Sequence, residues 1–354
     1  MRGRRIFLVL VLLGGVAAAA FWLLSGPRLR EPLVENVPEE AAAYARVDVK
    51  ALLRSSWWRR FVTERGGDRG LQRMREQCGI EPSDQLAELA AYVGAEGQSL
   101  DHVTFLARGP FDHDSLGDCM RQIVEQDGGG LRRVEIDGVP GVAGARGDSR
   151  IAFLGRDGAA FGNERSVRQV IAIAREERPH VGGTLRELHD AVWAGETPPE
   201  VVAVAVLPEG WRRAIRERVQ APGVFGEALE KLRALAASAR VSRGLALSVR
   251  VRFEDASVVE PLVEQARLQR DALLDDPLLG LTAAGPALRR VAVEGQGSEV
   301  VLAVDLDESL AERLVELAQR MLQRPERRRR RPRTESPVLD APSTEAPSTE
   351  APAP

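Results

Sequence analysis

The stretch Leu245-Ala246-Leu247-Ser248-Val249-Arg250-Val251-Arg252-Phe253 decides the fold. Its large apolar residues alternate with small or charged ones, which is the period of a β-strand with one buried face and one solvated face. A sheet with one face in water is typical of antiparallel α+β proteins. We therefore predict the α+β class, with mainly antiparallel sheets and helices on one face.

Two further strands follow from the same reasoning. In Tyr44–Lys50 apolar and charged residues alternate, and Val201–Leu207 is a continuous apolar run suited to the middle of a sheet. Helical patterns follow each strand, and they include Leu71–Tyr92 and Phe225–Ala239. The element order β-α-α-β-α-β-β-α is thus predicted twice.

An internal duplication is indicated by landmarks that recur at a nearly constant interval. The pairs are Asp112 and Asp255, Ser149 and Glu299, and Asn163 and Asp307. Asn163 and Asp307 are also the predicted caps of the helices that follow them. The interpretation depends on element order and spacing, with little residue identity. It predicts two similar subdomains, each with its own sheet.

These boundaries divide the chain into six parts. The parts are an N-terminal membrane anchor or signal peptide (1–24), a stalk (25–38), the first α+β subdomain (39–178), a connection (179–198), the second α+β subdomain (199–323), and a basic run with a Pro/Ser/Thr/Glu tail (324–354). The tail has almost no apolar residues to bury, so we expect it to be disordered.

The apolar run Ile6–Leu24 follows several arginines and is long enough to cross a bilayer. The alternative is a cleaved signal peptide with Ala18-Ala19-Ala20 at its cleavage site. We favour the uncleaved transmembrane helix because Phe21–Leu24 extends the apolar run past that site. This predicts a single-pass protein of a bacterial inner membrane, with its N-terminus in the cytoplasm and its bulk in the periplasm.

Cys78 and Cys119 are the two cysteines of the chain. Outside the cytoplasm an even pair can oxidise, which makes a Cys78–Cys119 disulfide one interpretation. Two separate buried thiols are the alternative, because sequence spacing cannot establish the Cα separation that a disulfide requires.

No catalytic, cofactor-binding or metal-binding residue is predicted. The formal net charge of −3 provides no field that would attract nucleic acid, so no nucleic-acid partner is expected. The four histidines lack the spacing of metal ligands, and the chain contains no phosphate loop, nucleophile elbow or zinc helix. Whether the protein is an enzyme stays open, with the non-enzymatic interpretation favoured.

The segment Val37–Val49, followed by a helix bearing Ser56-Trp57-Trp58, resembles exported, membrane-anchored bacterial proteins of unassigned function with a duplicated α+β unit. The resemblance covers the leader and the first strand and helix. The second half departs from the pattern, because Pro199-Glu200-Val201 lacks the acidic strand end. The resemblance implies no site residues, since that kind of protein has none assigned.

The function that we predict is non-enzymatic. The chain is read as a membrane-anchored envelope protein, an interaction or scaffolding module that faces the periplasm and binds a protein partner. One alternative is a binding module that holds a small molecule or peptide between its two repeats. A hydrolase with an unrecognised site is the third hypothesis.

Overall fold

A computed structural model of the chain describes residues 26–63, 69–95, 103–110, 112–126, 128–145, 147–193, 197–219, 223–242, 244–280 and 282–317. The chain up to Leu314 forms one compact unit, and of the second unit, Val315–Pro354, only the first three residues are described. The predicted anchor at 1–24 and the predicted tail at 324–354 both lie outside the described residues.

One antiparallel sheet of twelve strands organises the described chain. The strands are β1 (Ala41–Asp48), β2 (Glu88–Gly94), β3 (Val103–Arg108), β4 (Leu131–Ile136), β5 (Val139–Gly144), β6 (Ser149–Leu154), β7 (Gly158–Asn163), β8 (Val201–Val206), β9 (Leu232–Arg240), β10 (Leu245–Phe253), β11 (Ala292–Gln296) and β12 (Glu299–Leu306). Their order across the sheet is β11-β12-β10-β9-β8-β1-β2-β3-β7-β6-β5-β4.

The helices connect these strands. They are α1 (Val49–Arg54), α2 (Ser56–Phe61), α3 (Arg69–Cys78), α4 (Pro82–Gln85), α5 (His113–Gln126), α6 (Glu164–Ala174), α7 (Gly183–Trp193), α8 (Glu209–Arg218), α9 (Val224–Lys231), α10 (Val259–Leu274), α11 (Pro277–Gly280), α12 (Ala284–Arg289) and α13 (308–317). Short 3-10 helices lie at Leu33–Asn36 and Ala256–Val258.

The prediction of two subdomains with separate sheets is wrong. β1 and β8 are hydrogen-bonded neighbours, paired from Ala43 with Ala205 to Val47 with Val201. An unpaired edge of an apolar strand exposes backbone donors and acceptors, and here the edges of the two halves satisfy each other. The strand order is similar on the two sides of this pair, with β8-β9-β10-β12-β11 on one side and β1-β2-β3-β7-β6 on the other.

The predicted helices at Leu71–Tyr92 and Phe225–Ala239 end in strands. β2 occupies the end of the first segment, after α3 and α4, and β9 occupies the end of the second, after α9. Both strands are rich in alanine, the residue with the highest helix propensity. Pairing with strands on both sides overrides that local preference.

The predicted stalk and connection belong to the folded core. Leu33 and Val34 are 1% and 0% exposed, and the Asn36 side chain hydrogen-bonds the backbone of Arg30 at 2.8 and 2.9 Å. The connection contains α7, which packs against β1, β8 and β9. Apolar residues in both segments cover the sheet, which a stalk or linker would not do.

The prediction of a transmembrane helix also needs correction. Within the part of the chain that the structure describes, no helix combines the length and the apolar character needed to cross a membrane. The segment on which the prediction depends, Ile6–Leu24, lies outside that part. The described residues therefore provide no support for the predicted transmembrane helix or for the inner-membrane location that depends on it.

The sheet buries its two faces differently. We call one face the core face. There the segment Leu33–Asn36 and helices α6 and α7 cover the neighbouring strands β6-β7-β3-β2-β1-β8-β9. On the other, the groove face, α5 covers the β5–β7 end. Helices α8, α9 and α10 cover the β10–β12 end of the groove face. The middle of the groove face lies between these two groups of helices.

Candidate functional site

The middle of the groove face is an open apolar depression, which we call the central groove. Its volume is about 420 Å³. It crosses β2, β1, β8, β9 and β10, and its lining is almost entirely alanine, valine and leucine. The groove-face residues that line it are Ala43, Ala45, Ala91, Val93, Ala203, Ala205, Leu235, Ala237 and Val249.

Strand register makes the floor of the central groove continuous. Ala91 lies opposite Ala45, Ala45 opposite Ala203, and Ala203 opposite Ala237, which in turn lies opposite Val249. Successive residues of a strand point to opposite faces, so the residues between these alanines are on the core face. A methyl group is the whole side chain of alanine, and the floor is therefore low along this row.

Aromatic side chains extend the row at one end. Phe105 lies opposite Ala91 in the sheet and stacks on Phe161, with ring centroids 5.9 Å apart. The two residues are 37% and 42% exposed. Leu247, beside Val249 on β10, is 36% exposed at the other end. An apolar surface continuous over several strands is unusual on a folded protein and marks an interaction site more often than scattered exposed residues do.

Charged residues near the middle of the sheet lie on the core face. Arg46 pairs with Glu88, and Glu88 also pairs with Arg108. The Arg46 guanidinium carbon stands 4.6 Å from the centroid of the Trp193 ring, a cation–π contact. This network pairs the charges on the core face, and none of the groove-face residues that line the central groove has an ionisable side chain.

Tyr44, Tyr92 and His189 are buried under the core face. Burial raises the pKa of Tyr44 above its usual range and raises the pKa of Tyr92 to about 12. Burial also lowers the pKa of His189, which is 2% exposed and hydrogen-bonds Asp190 at 3.0 Å. The His189 ring stacks on Trp193 and meets Tyr44 edge-on, so it packs as a neutral aromatic group.

Asp112-His113-Asp114, the densest group of potential ligands in the sequence, begins α5. Asp112 accepts hydrogen bonds from the Asp114 amide and the Ser115 hydroxyl, as residues at a helix start do. His113 stacks on Phe153 with ring centroids 4.7 Å apart. Over the described ranges, no group of three or more His, Cys, Asp or Glu side chains is placed to hold a metal ion.

Cys78 and Cys119, the candidate pair from the sequence, are joined by a disulfide in the structure, with their Cα atoms 5.3 Å apart. The bond links the end of α3 to the middle of α5. Cys119 is 4% exposed, whereas none of the side chains described for α3 is buried.

The alanine floor was not predicted from the sequence. Small residues alternate in Ala41–Asp48 and Val201–Val206, which indicates a low surface on one face of β1 and β8. The sequence pattern of their partners β2 and β9, however, predicts helices. Only the register that joins these strands reveals one continuous apolar surface.

Comparisons with known proteins assign no family to this chain. No protein-family model matches the chain, and no curated protein matches it. Among solved structures, crystal form I of TP0453 matches with 10% identity and a TM-score of 0.45 over 80% of this chain and 95% of that chain. Crystal form III matches with 10% identity and a TM-score of 0.45 over 79% and 96%. At this level a likeness carries no argument about function, and the resemblance to exported proteins stays a prediction.

Proposed function

We propose that this chain is a non-enzymatic interaction module that binds a partner protein in the central groove. The observation that supports the proposal is the uninterrupted apolar row from Phe161 through Ala45 and Ala203 to Val249. Covering such a surface removes apolar area from water, at roughly 25 cal/mol for each Å².

The partner segment that fits is an amphipathic helix with large apolar side chains on one face. The central groove crosses five strands, which at about 4.8 Å per spacing is roughly 19 Å, wide enough for one helix of about 10–12 Å diameter. Its floor lies inside the sheet, where the backbone groups are already paired. An added β-strand would find no free hydrogen-bonding edge there, so docking by side chains is favoured.

Site-specific photo-crosslinking tests the proposal. A photoreactive phenylalanine analogue replaces Ala203 in the full chain, and Leu268, a residue of α10 that is 58% exposed, provides the control position. We expect a discrete protein adduct from position 203 in cells that make the protein, and none from position 268. The adduct should disappear when Ala45→Glu places a charge on the groove floor.

A binding measurement then separates docking from accidental proximity. The peptide segment identified in the adduct is synthesised and titrated against the purified protein by calorimetry. The peptide should bind the wild type, and its affinity for Ala45→Glu should be at least tenfold lower. Circular dichroism checks that the variant is folded. Equal affinity for both proteins would contradict the proposal.

An apolar small molecule is the second candidate occupant. The volume of about 420 Å³ lies within the range of about 300–1,000 Å³ that is usual for small-molecule pockets. Solvent extraction of the purified protein followed by mass spectrometry tests this candidate. A stoichiometric apolar compound in the wild type that is absent from Ala203→Glu would favour a small molecule over a protein segment.

A further inference from the structure

A second cavity lies on the core face of the second half. Its volume is about 430 Å³, and it is bounded by the end of α7 and by β9, β10, β11 and β12. In the first half α6 covers the core face of β6 and β7. The polar side of β10 carries no such cover from the helices that the structure describes, and its serine and arginine side chains face this cavity.

Small side chains form the floor of this cavity. Ser238 lies opposite Ser248, and Ser248 lies opposite Ala303. The apolar wall consists of Val192, Trp193 and Pro199, at and just after the end of α7. The cavity therefore combines hydroxyl groups at its base with an apolar side.

Two arginines flank the serine pair along the strands. Arg240 is paired with Ala246, and Arg250 lies on the other side of Ser248. The Cα atom of each arginine is therefore about 6.6 Å along the strand from that of the nearest serine. Arg250 is held by Glu299 at 3.3 Å, and its buried Nε has no acceptor among the described residues. Arg240 is exposed and makes no ion pair with any residue that the structure describes.

The cavity lining contains one carboxylate, Asp305, and a third arginine, Arg290, which is paired with Asp307 at 2.8 Å. Asp305 lies opposite Ala246 at the rim, on the strand beyond the arginines. Because a second negative charge on a ligand would be repelled by this carboxylate, a singly charged anion is favoured over a phosphate dianion.

We propose that this cavity binds a small organic monocarboxylate with an apolar body. The carboxylate accepts hydrogen bonds from Arg240 and from the hydroxyls of Ser238 and Ser248, and the Arg250 guanidinium lies beside it. The apolar body packs against Val192, Trp193 and Pro199. This site lies on the opposite face of the sheet from the central groove, and the proposal does not depend on the function assigned to the groove.

Calorimetric titration of the full chain with hexanoate tests the proposal. We expect saturable binding, weakened at least about tenfold by Arg240→Gln, because a charge-assisted hydrogen bond is lost. Arg156→Gln, at an exposed arginine in the β6–β7 turn, is the matched control and should bind as the wild type does. Hexylamine should not bind, and inorganic phosphate should bind more weakly than hexanoate.

A second variant keeps the test decisive if the arginine change alters folding. Ser248→Leu fills the floor with an apolar side chain and should abolish hexanoate binding, whereas Ala203→Glu in the central groove should leave it unchanged. Absence of binding to the wild type, equal binding by Arg240→Gln, or loss of binding only in Ala203→Glu would each overturn the proposal. Phosphate binding tighter than hexanoate would overturn the choice of a monocarboxylate.

Discussion

At the scale of single residues, helix caps are decided locally. Asn163 accepts a hydrogen bond from the Ser166 amide at 2.8 Å, and Asp307 accepts one from the Leu310 amide at 3.0 Å. Both residues were predicted as caps, and the structure confirms them. A cap needs only a short polar side chain and the amides that follow it, so three or four consecutive residues contain all the information.

Asp307 should make stability depend on pH in the acid range. Hydrogen bonds from the Leu310 amide, Ser309 and Arg290 lower its pKa to about 2. Since the folded pKa is below the unfolded value of about 4, the stabilisation is present above pH 4 and is lost as the pH falls toward 2. In urea unfolding at pH 5 and pH 2, Asp307→Asn should lose less stability than the wild type. An identical pH dependence in the two proteins would contradict this.

His189 should stay neutral in the folded protein below the pH at which a free histidine gains a proton. Burial lowers its pKa, so the unfolded chain takes up the proton first and stability falls as the pH decreases through about 6.5. We expect its imidazole resonance to titrate below pH 6.5 by NMR. His189→Gln should show a smaller loss of unfolding free energy between pH 7 and pH 5, and a normal titration midpoint would refute the assignment.

At the scale of elements, alanine-rich strands mark the limit of sequence interpretation. β10 was predicted correctly because large apolar side chains alternate with small or charged ones along its whole length. β2 has two alanines among seven residues and β9 has four among nine, on both faces of each strand, so their period of two is weak and their helix propensity is high. Pairing with the strands on either side, β1 and β3 for β2 and β8 and β10 for β9, specifies the extended conformation.

The disulfide should be the main attachment of α3. No side chain described for α3 is buried, so reducing the Cys78–Cys119 bond removes the covalent link that holds this helix to α5. We expect faster amide exchange in α3 for Cys119→Ser, and a loss of about 2–4 kcal/mol in unfolding free energy. Exchange in β1 and β8 should hardly change.

Two controls accompany that measurement. Dithiothreitol should reproduce the effect in the wild type and have none on Cys119→Ser. Detection of two reactive thiols in the purified, unreduced protein would show that the bond does not form.

At the scale of the whole molecule, the two halves share one core. The largest buried cluster contains Val202, Val204 and Ala236 from the second half together with Leu33 and Val167 from the first. Separating the halves would expose this cluster and leave β1 and β8 as unpaired edges.

We therefore expect the halves to unfold together. Differential scanning calorimetry of the full chain should give one transition, and a fragment that ends at residue 193 should not fold on its own. Tyr44→Ala, which creates a cavity under the β1–β8 pair, should shift the single transition to lower temperature without splitting it. Two resolved transitions would show that the halves fold independently.

The sequence by itself determined the α+β class, the strands β1, β8 and β10, and the caps at Asn163 and Asp307. Strand alternation and helix capping both depend on residues that are neighbours in the chain. The tertiary structure alone decided that the halves join in one sheet through β1 and β8. It also converted two apparent helices into strands and left an alanine floor open between two groups of helices. These features depend on hydrogen bonds between residues far apart in the chain, whose register no local pattern specifies.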